Sequence, residues 1–293
     1  MKKIVVTGTS GFVGKRFVEY NKNKYFIDSL PLRNINFDSV TFKGVDAIVH
    51  LAGKAHQMEP IDDQVYFDVN YGLTKSLLDK AILDGVAHFI YISSTKVYGD
   101  EINSVLNENS NCNPTDAYGQ SKFKAEQYLQ SLASKINITI IRPPLIYGPE
   151  VKGNLIQLLQ LCQKNIPLPF GNTQNARSMV FVDNLVALIN TIIDQQSTGI
   201  FIAGDRNTVS TDKLVSLIRL NLGKKKMLIT IPSILRKVIK QLKPRLYIRL
   251  YGSFVVDNTN TNNKINFVPP YTTEYGIEKM VNWFKNNNNK IKS

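Results

Sequence analysis

The sequence predicts an α/β protein with a doubly wound parallel sheet and a smaller C-terminal α/β lobe, on three observations. Short β-branched runs alternate with amphipathic stretches through the first two thirds of the chain, the pattern of repeated βαβ units. A glycine-rich turn, Thr7-Gly8-Thr9-Ser10-Gly11-Phe12-Val13-Gly14, directly follows the first of those runs. After Arg142 the pattern changes, because Pro143, Pro144 and Pro149 forbid a helix and the segments become shorter and more mixed.

Taken in order, strands are expected at 3–7, 25–29, 47–51, 88–93 and 137–142, with helices at 62–83 and 118–134 among the connections. Right-handed crossovers between parallel strands make this a doubly wound sheet. Beyond it a helix at 155–164 and a loop at 165–171 lead into further short elements, without internal repeats. Residues 1–150 are expected to form one unit and 151–293 a lobe interleaved with it, since no linker is long enough to free the second part.

At 293 residues, 43% hydrophobic and 20% charged, the chain can bury a full core of enzyme size. Met1-Lys2-Lys3 runs straight into the short apolar segment Ile4-Val5-Val6, and no stretch is long and apolar enough to span a bilayer. The two cysteines, Cys112 and Cys162, lack metal-ligand spacing. These features lead to the expectation of a cytoplasmic protein without a metal or a disulfide framework.

The net charge is +13, and nine basic residues lie between Lys224 and Arg249 with no acidic residue among them. Such a field favours phosphorylated substrates, an acidic membrane surface or nucleic acid. The basic residues alternate with aliphatic ones at helical spacing rather than with stacking aromatics, which argues against nucleic acid. Two readings remain for 231–250: weak peripheral contact with an acidic membrane, or a lobe helix with a basic outer face.

The glycine turn reads as a dinucleotide site of Rossmann type. Gly8 permits the tight turn, Gly11 lets the backbone approach a pyrophosphate, and Gly14 allows close packing of helix on strand. Ser10, Phe12 and Val13 belong to the same cradle, where a helix N-terminus offers free amides and a positive dipole end. At the second strand Asp28 could accept a ribose hydroxyl, whereas Arg33 could neutralise a 2′-phosphate, so NAD and NADP both stay open.

Tyr118 and Lys122, four apart on a helix, lie on one face. A free tyrosine titrates near pKa ~10 and is a poor base at neutral pH; a neighbouring ammonium, together with an oxidised nicotinamide, would stabilise its anion. Tyr118 could then exchange a proton with a substrate oxygen during hydride transfer. Ser93, Ser94 and Thr95, on the strand before, each offer a hydroxyl to the same oxygen.

The TGxxGxxG spacing, His50-Leu51-Ala52-Gly53, the run Ser93-Ser94-Thr95-Lys96-Val97-Tyr98-Gly99 and Tyr118-Gly119-Gln120-Ser121-Lys122 together resemble the extended short-chain dehydrogenase/reductases, the NAD-dependent epimerase/dehydratase family. The resemblance covers nearly the whole chain. It implies a Ser94, Tyr118, Lys122 triad, places Leu51, Ala52 and Gly53 against the cofactor, and gives Lys122 the nicotinamide ribose hydroxyls. By the same likeness Asn70, Thr95 and Lys96 border the substrate. Ile141 to Pro149 looks like the element bordering the sugar site, and Asn154, 167–171, Arg177 and 180–183 look like the uridine- and diphosphate-binding run, with Arg249 a further substrate candidate; His56, in the loop after the cofactor motif, is expected to border the substrate.

Where nucleotide-sugar 4,6-dehydratases carry Asp-Glu after the catalytic hydroxyl, this chain has Thr95-Lys96, which excludes dehydration. Leu145 stands where UDP-galactose-type 4-epimerases have asparagine. The resemblance is then greatest to bacterial surface-polysaccharide enzymes, and implies reduction of a UDP-2-acetamido-2,6-dideoxy-4-keto-hexose, with 4-epimerisation of UDP-N-acetylglucosamine or UDP-glucose as the alternative. A non-catalytic, cofactor-sensing relative is a distant third. A homodimer through the helices near 62–84 and 118–134 is also implied.

Overall fold

The computed structural model describes residues 1–55, 61–99 and 104–291. Its eight strands are β1 (Lys3–Thr7), β2 (Phe26–Leu30), β3 (Ala47–His50), β4 (His88–Ile92), β5 (Asn137–Arg142), β6 (Leu145–Tyr147), β7 (Met179–Phe181) and β8 (Gly199–Ile202). Six of them form one wholly parallel sheet in the order β2-β1-β3-β4-β5-β8, and β6 pairs with β7 apart from it. The helices are α1 (Phe12–Asn21), α2 (Asp63–Tyr66), α3 (Leu73–Leu83), α4 (Ala117–Ser131), α5 (Asn154–Gln163), α6 (Val182–Gln195), α7 (Thr211–Asn221), α8 (Ser233–Leu242), α9 (Pro244–Tyr251), α10 (Thr259–Lys264) and α11 (Thr273–Ile291).

Strands β3 and β4 are buried at every residue, as parallel strands covered on both faces must be. On one face Phe17, Leu185 and Ile189 of α1 and α6 pack with Ile4, Val49 and Ile90. On the other, Leu77 and Leu78 of α3 and Ala125 and Leu129 of α4 pack with Ile48, Phe89 and Ile140. A third core, from Leu159, Val215 and Met280 of α5, α7 and α11, holds the C-terminal part together. That part is joined to the first where β8 pairs with β5 and where Arg16 of α1 makes a two-point ion pair with Asp183 of α6 (2.5 and 2.8 Å).

The chain passes from β1 to β2 on one side and returns to β3 on the other, so the sheet reverses direction between β1 and β3. Ligands bind α/β sheets in the crevice at such a point, beyond the carboxyl ends of the strands.

Two elements depart from expectation. Strand β2 runs one residue later than 25–29: Pro31 holds Leu30 extended, while the Tyr25 amide still bonds back to Asn21 O at 3.2 Å. The helix expected over 62–83 is interrupted by a π-helical turn, Phe67–Gly72, between α2 and α3. There the Asn70 carbonyl accepts from the hydroxyls of Thr74 (2.7 Å) and Tyr91 (3.4 Å).

A directed hydrogen-bond chain ties the carboxyl ends of β1 and β3 to this turn. The Ala52 amide donates to Thr7 Oγ1 (3.1 Å), which lies 2.6 Å from His50 Nδ1, and His50 Nε2 lies 2.8 Å from Thr74 Oγ1. Since the Thr74 hydroxyl donates to Asn70, it accepts from Nε2, and Nδ1 must accept from Thr7. His50 is thereby neutral with its proton on Nε2, and burial lowers its pKa from 6.5 to about 3. His88, bonded to Thr139 across β4 and β5 at 2.8 Å, is lowered by burial to about 4.

Both histidines bind protons more readily in the unfolded chain, so the stability they allow is complete above pH 6.5 and declines as pH falls toward 4 and then 3. The expected slope is about 1.4 kcal/mol per pH unit for each group within its window. Urea melts at descending pH read this slope directly, and an unchanged midpoint between pH 6.5 and 4 would contradict the buried neutral assignment.

Candidate active site

The glycine cradle is built as the sequence implies. Gly8 leaves β1 with φ +73, and a Cβ there would lie 2.5 Å from Ala52 N, so the loops after β1 and β3 meet across the crevice. The Gly11 amide bonds Gly8 O at 2.9 Å, and a Cβ on Gly14 would come within 2.1 Å of the same oxygen. Phe12 opens α1, whose N-cap, Gly11, has no side chain to satisfy the first amides, and Ser10 is exposed beside it. Those amides and the missing side chains fit a pyrophosphate.

At the adenosine end, Asp28 pairs in register with Val5, two residues short of the end of β1, and its carboxylate meets Lys3 Nζ at 3.3 Å. It therefore stands away from the strand end where a ribose hydroxyl would be bound. Arg33 lies exposed in the turn past β2.

Across the crevice, Gly53 is closely enclosed: a Cβ there would lie 3.0 Å from Asn70 Oδ1 and 3.1 Å from Lys122 Nζ. Lys122 is buried, donates to Ile92 O at 2.9 Å and sits 4.6 Å from the centroid of the Tyr91 ring. Burial lowers its pKa to about 7, against an opposing contribution from Glu126 one turn further along α4.

The three hydroxyls have different surroundings. Ser94 is half-buried, and its side chain favours the anion of Tyr118. Ser93 is buried with its hydroxyl unpartnered among the described residues, and Thr95 is buried with its amide on Pro143 O at 3.0 Å. Two features bring Ser94 and Tyr118 together. Asp116 caps α4 through the Gly119 amide (2.7 Å), and the absence of a side chain on Gly119, whose Cβ would lie 2.7 Å from Lys96 O, lets the first turn press against 95–98. The Tyr66 ring supports Tyr118 edge-on at 6.0 Å.

One expectation is corrected here. The Lys122 ammonium is directed at Ile92 O rather than at the phenol, and burial pushes the Tyr118 pKa up, opposed by the Ser94 side chain. The protein alone does not favour the tyrosinate.

The substrate candidates are less gathered. Asn70 is fully buried, and its carboxamide is consumed by Lys54 N (2.8 Å), Lys54 O (3.1 Å) and Ser121 Oγ (3.0 Å), so it clamps the β3 loop to α4 instead of facing a sugar. Lys96 reaches Asp116 at 3.4 Å. Asn154 is exposed in the first turn of α5. Arg177 Nη1 donates to the carbonyls of Ile248 (3.2 Å) and Gly252 (3.0 Å), tying the end of α9 to the segment that leads into β7. Asp183 is taken by Arg16. Arg249 lies on α9 with its side chain outside the described residues, as is the whole of His56.

Sequence reasoning missed Glu126 and put Arg142 in the element bordering the sugar site; the two pair out of water behind the site, with Arg142 Nη2 and Nε 2.5 and 3.1 Å from the carboxylate and Nη1 donating to Tyr98 OH at 2.9 Å. A charged residue closing the run Ile138-Thr139-Ile140-Ile141 of β5 was the available signal.

A reversal-point crevice with a side-chain-free phosphate cradle and a Ser, Tyr, Lys cluster defines a dinucleotide-dependent enzyme of the α/β class. Residues 4–204 match the model of the NAD dependent epimerase/dehydratase family, and the chain belongs to that family. It is 34% identical to a UDP-glucose 4-epimerase of Vibrio cholerae over 99% of this chain and 97% of that one. Among solved structures it resembles the UDP-glucuronic acid 4-epimerase of Bacillus cereus in complex with NAD (TM-score 0.78, 19% identity, covering 97% of this chain and 99% of that one). It resembles equally RMD of Pseudomonas aeruginosa complexed with NADPH (TM-score 0.78, 19% identity, 98% and 100%). The family is NAD dependent.

Proposed function

We propose that this enzyme transfers hydride at C4 of a UDP-linked sugar and that the net reaction is 4-epimerisation. The observation that carries the chemistry is that the Ser94 hydroxyl acts on the Tyr118 phenol, with Lys122 beside them at Gly53. Two hydroxyls that close to one another can bind one substrate oxygen between them. Ser94 holds the C4 oxygen and steadies charge that develops on it, while Tyr118 takes a proton from a C4 hydroxyl or returns one to a C4 ketone. Lys122 stands over Gly53 to hold ribose hydroxyls. When bound, the dinucleotide would supply the hydride acceptor and, oxidised, the positive charge that a buried Tyr118 needs in order to ionise.

The positions after Ser94 hold no carboxylic acid, and Lys96 is paired with Asp116, so elimination of water has neither its acid nor its base. Epimerisation is supported by the Vibrio cholerae relative, whose named activity it is. One observation favours a second reading, reduction of a UDP-2-acetamido-2,6-dideoxy-4-keto-hexose. With Asp28 held by Lys3 inside β2 and Arg33 past its end, the adenosine side suits a 2′-phosphate, and an exchangeable NADPH is what a reductase consumes.

Purified enzyme incubated with UDP-N-acetylglucosamine or UDP-glucose and no added reductant is expected to form the C4 epimer. NADPH oxidation seen only with the 4-keto sugar, and no epimer from either UDP-sugar, would replace epimerisation by the second reading.

A further inference from the structure

The basic segment 224–249 takes no part in the proposed chemistry, and the structure gives it an unusual orientation. Helices α8 and α9 pack on each other as a hairpin. The Arg236 guanidinium lies 5.5 Å from the centroid of the Tyr251 ring and Lys240 Nζ lies 5.9 Å from that of Tyr247. The two tyrosines stack on one another at 5.3 Å. These cation–π contacts set Arg236, half-buried, and Lys240, exposed, over the rings of α9.

Ile234, Val238 and Leu242, spaced by four, consequently form a line on the side away from α9, with exposures of 76%, 40% and 76%. A lobe helix with only a basic outer face would bury these three side chains. Such a stripe of aliphatic side chains is stabilised only when another apolar phase covers it.

The surrounding charge identifies the cover. Lys237 and Lys243 are exposed beside the stripe. The nine basic residues of 224–249, unrelieved by any acid, account for most of the chain's net charge of +13. A second copy meeting this face through a twofold axis would set the same positive field against itself. Single-stranded nucleic acid would require free aromatic faces, and Tyr247 and Tyr251 are covered by each other and by the α8 cations. A surface that is anionic outside and apolar within satisfies both halves of the pattern.

We propose that α8 lies flat on an anionic phospholipid surface, with Ile234, Val238 and Leu242 between the headgroups and Lys237 and Lys243 on the phosphates. The hairpin is fixed to the body of the enzyme by Arg177 on the Ile248 and Gly252 carbonyls and by the Tyr251 hydroxyl on Pro169 O at 2.7 Å. Docking α8 therefore docks the whole enzyme. The inference does not depend on which sugar is turned over.

The test is co-sedimentation of the full chain with phosphatidylcholine vesicles containing about 30 mol % phosphatidylglycerol, and with phosphatidylcholine alone. Binding is expected only with the anionic vesicles, weakening about tenfold or more when salt is raised from about 0.1 to about 0.5 M. The Ile234→Ser, Leu242→Ser double variant leaves every charge in place and is expected to lose about tenfold in apparent vesicle affinity, with turnover of a soluble UDP-sugar unchanged. No sedimentation with anionic vesicles, or equal sedimentation of the double variant, overturns the proposal. So does a fall in the solution mass of the double variant, which would assign the face to a second copy.

Discussion

Replacing Tyr118 by phenylalanine is expected to lower kcat by about a thousandfold while leaving dinucleotide binding nearly unchanged. Loss of a positioned general acid–base group costs roughly 10²- to 10⁴-fold. The ring itself is retained, so its edge-on contact with Tyr66 and the approach of α4 to 95–98 persist. The phosphate cradle on Gly8, Gly11 and Gly14 is formed by other elements altogether. Ser94→Ala should be milder, since a serine that only holds the oxygen removes one hydrogen bond and not the proton carrier. Single-turnover measurement with pre-bound cofactor separates binding from chemistry. Wild-type turnover in the Tyr118→Phe enzyme would remove Tyr118 from the mechanism, and parallel loss of cofactor affinity would make its role structural.

The parts of this enzyme legible in its sequence are those fixed by short spacing. Three glycines after an apolar strand, and Tyr118 four residues before Lys122, constrain geometry within one turn or one helix, so pattern alone locates them. Strand β5 falls at the expected residues because its apolar run is bounded by Asn137 and the prolines after Arg142. What could not be read depends on partners distant in sequence. The π turn at Phe67–Gly72 accompanies the bonds of Asn70 to Lys54 and Ser121, and no periodicity encodes those. Asn70 was read as a substrate residue for the same reason, since its burial is invisible in the chain. On α8 the amphipathic spacing was visible, but which face turns inward is decided by Tyr247 and Tyr251 on the next helix. Asp28 looked able to reach a ribose until the register of β2 on β1 placed it short of the strand end.

The Glu126 and Arg142 pair yields the largest expected change in stability. Tyr118, Lys122 and Glu126 follow at intervals of four along α4, so the buried carboxylate stands one turn behind the lysine of the site. Either partner removed alone strands a charge out of water, and Arg142→Met or Glu126→Leu should cost about 3–5 kcal/mol. The double variant Glu126→Leu, Arg142→Met removes both charges and should recover much of that loss, falling short because Tyr98 OH and Glu108 O lose the Arg142 donor. Glu126 has a second effect. Its charge raises the Lys122 pKa against the burial that holds it near 7. Glu126→Gln keeps the shape and deletes the charge, so Lys122 should lose its proton at lower pH and the alkaline limb of kcat/KM should move down in pH. A purely structural carboxylate would change the melting temperature and leave that limb in place. Urea melts of the two single variants and the double, set beside the pH profile of Glu126→Gln, distinguish a pair that only holds α4 against β5 from one that also sets the charge of Lys122.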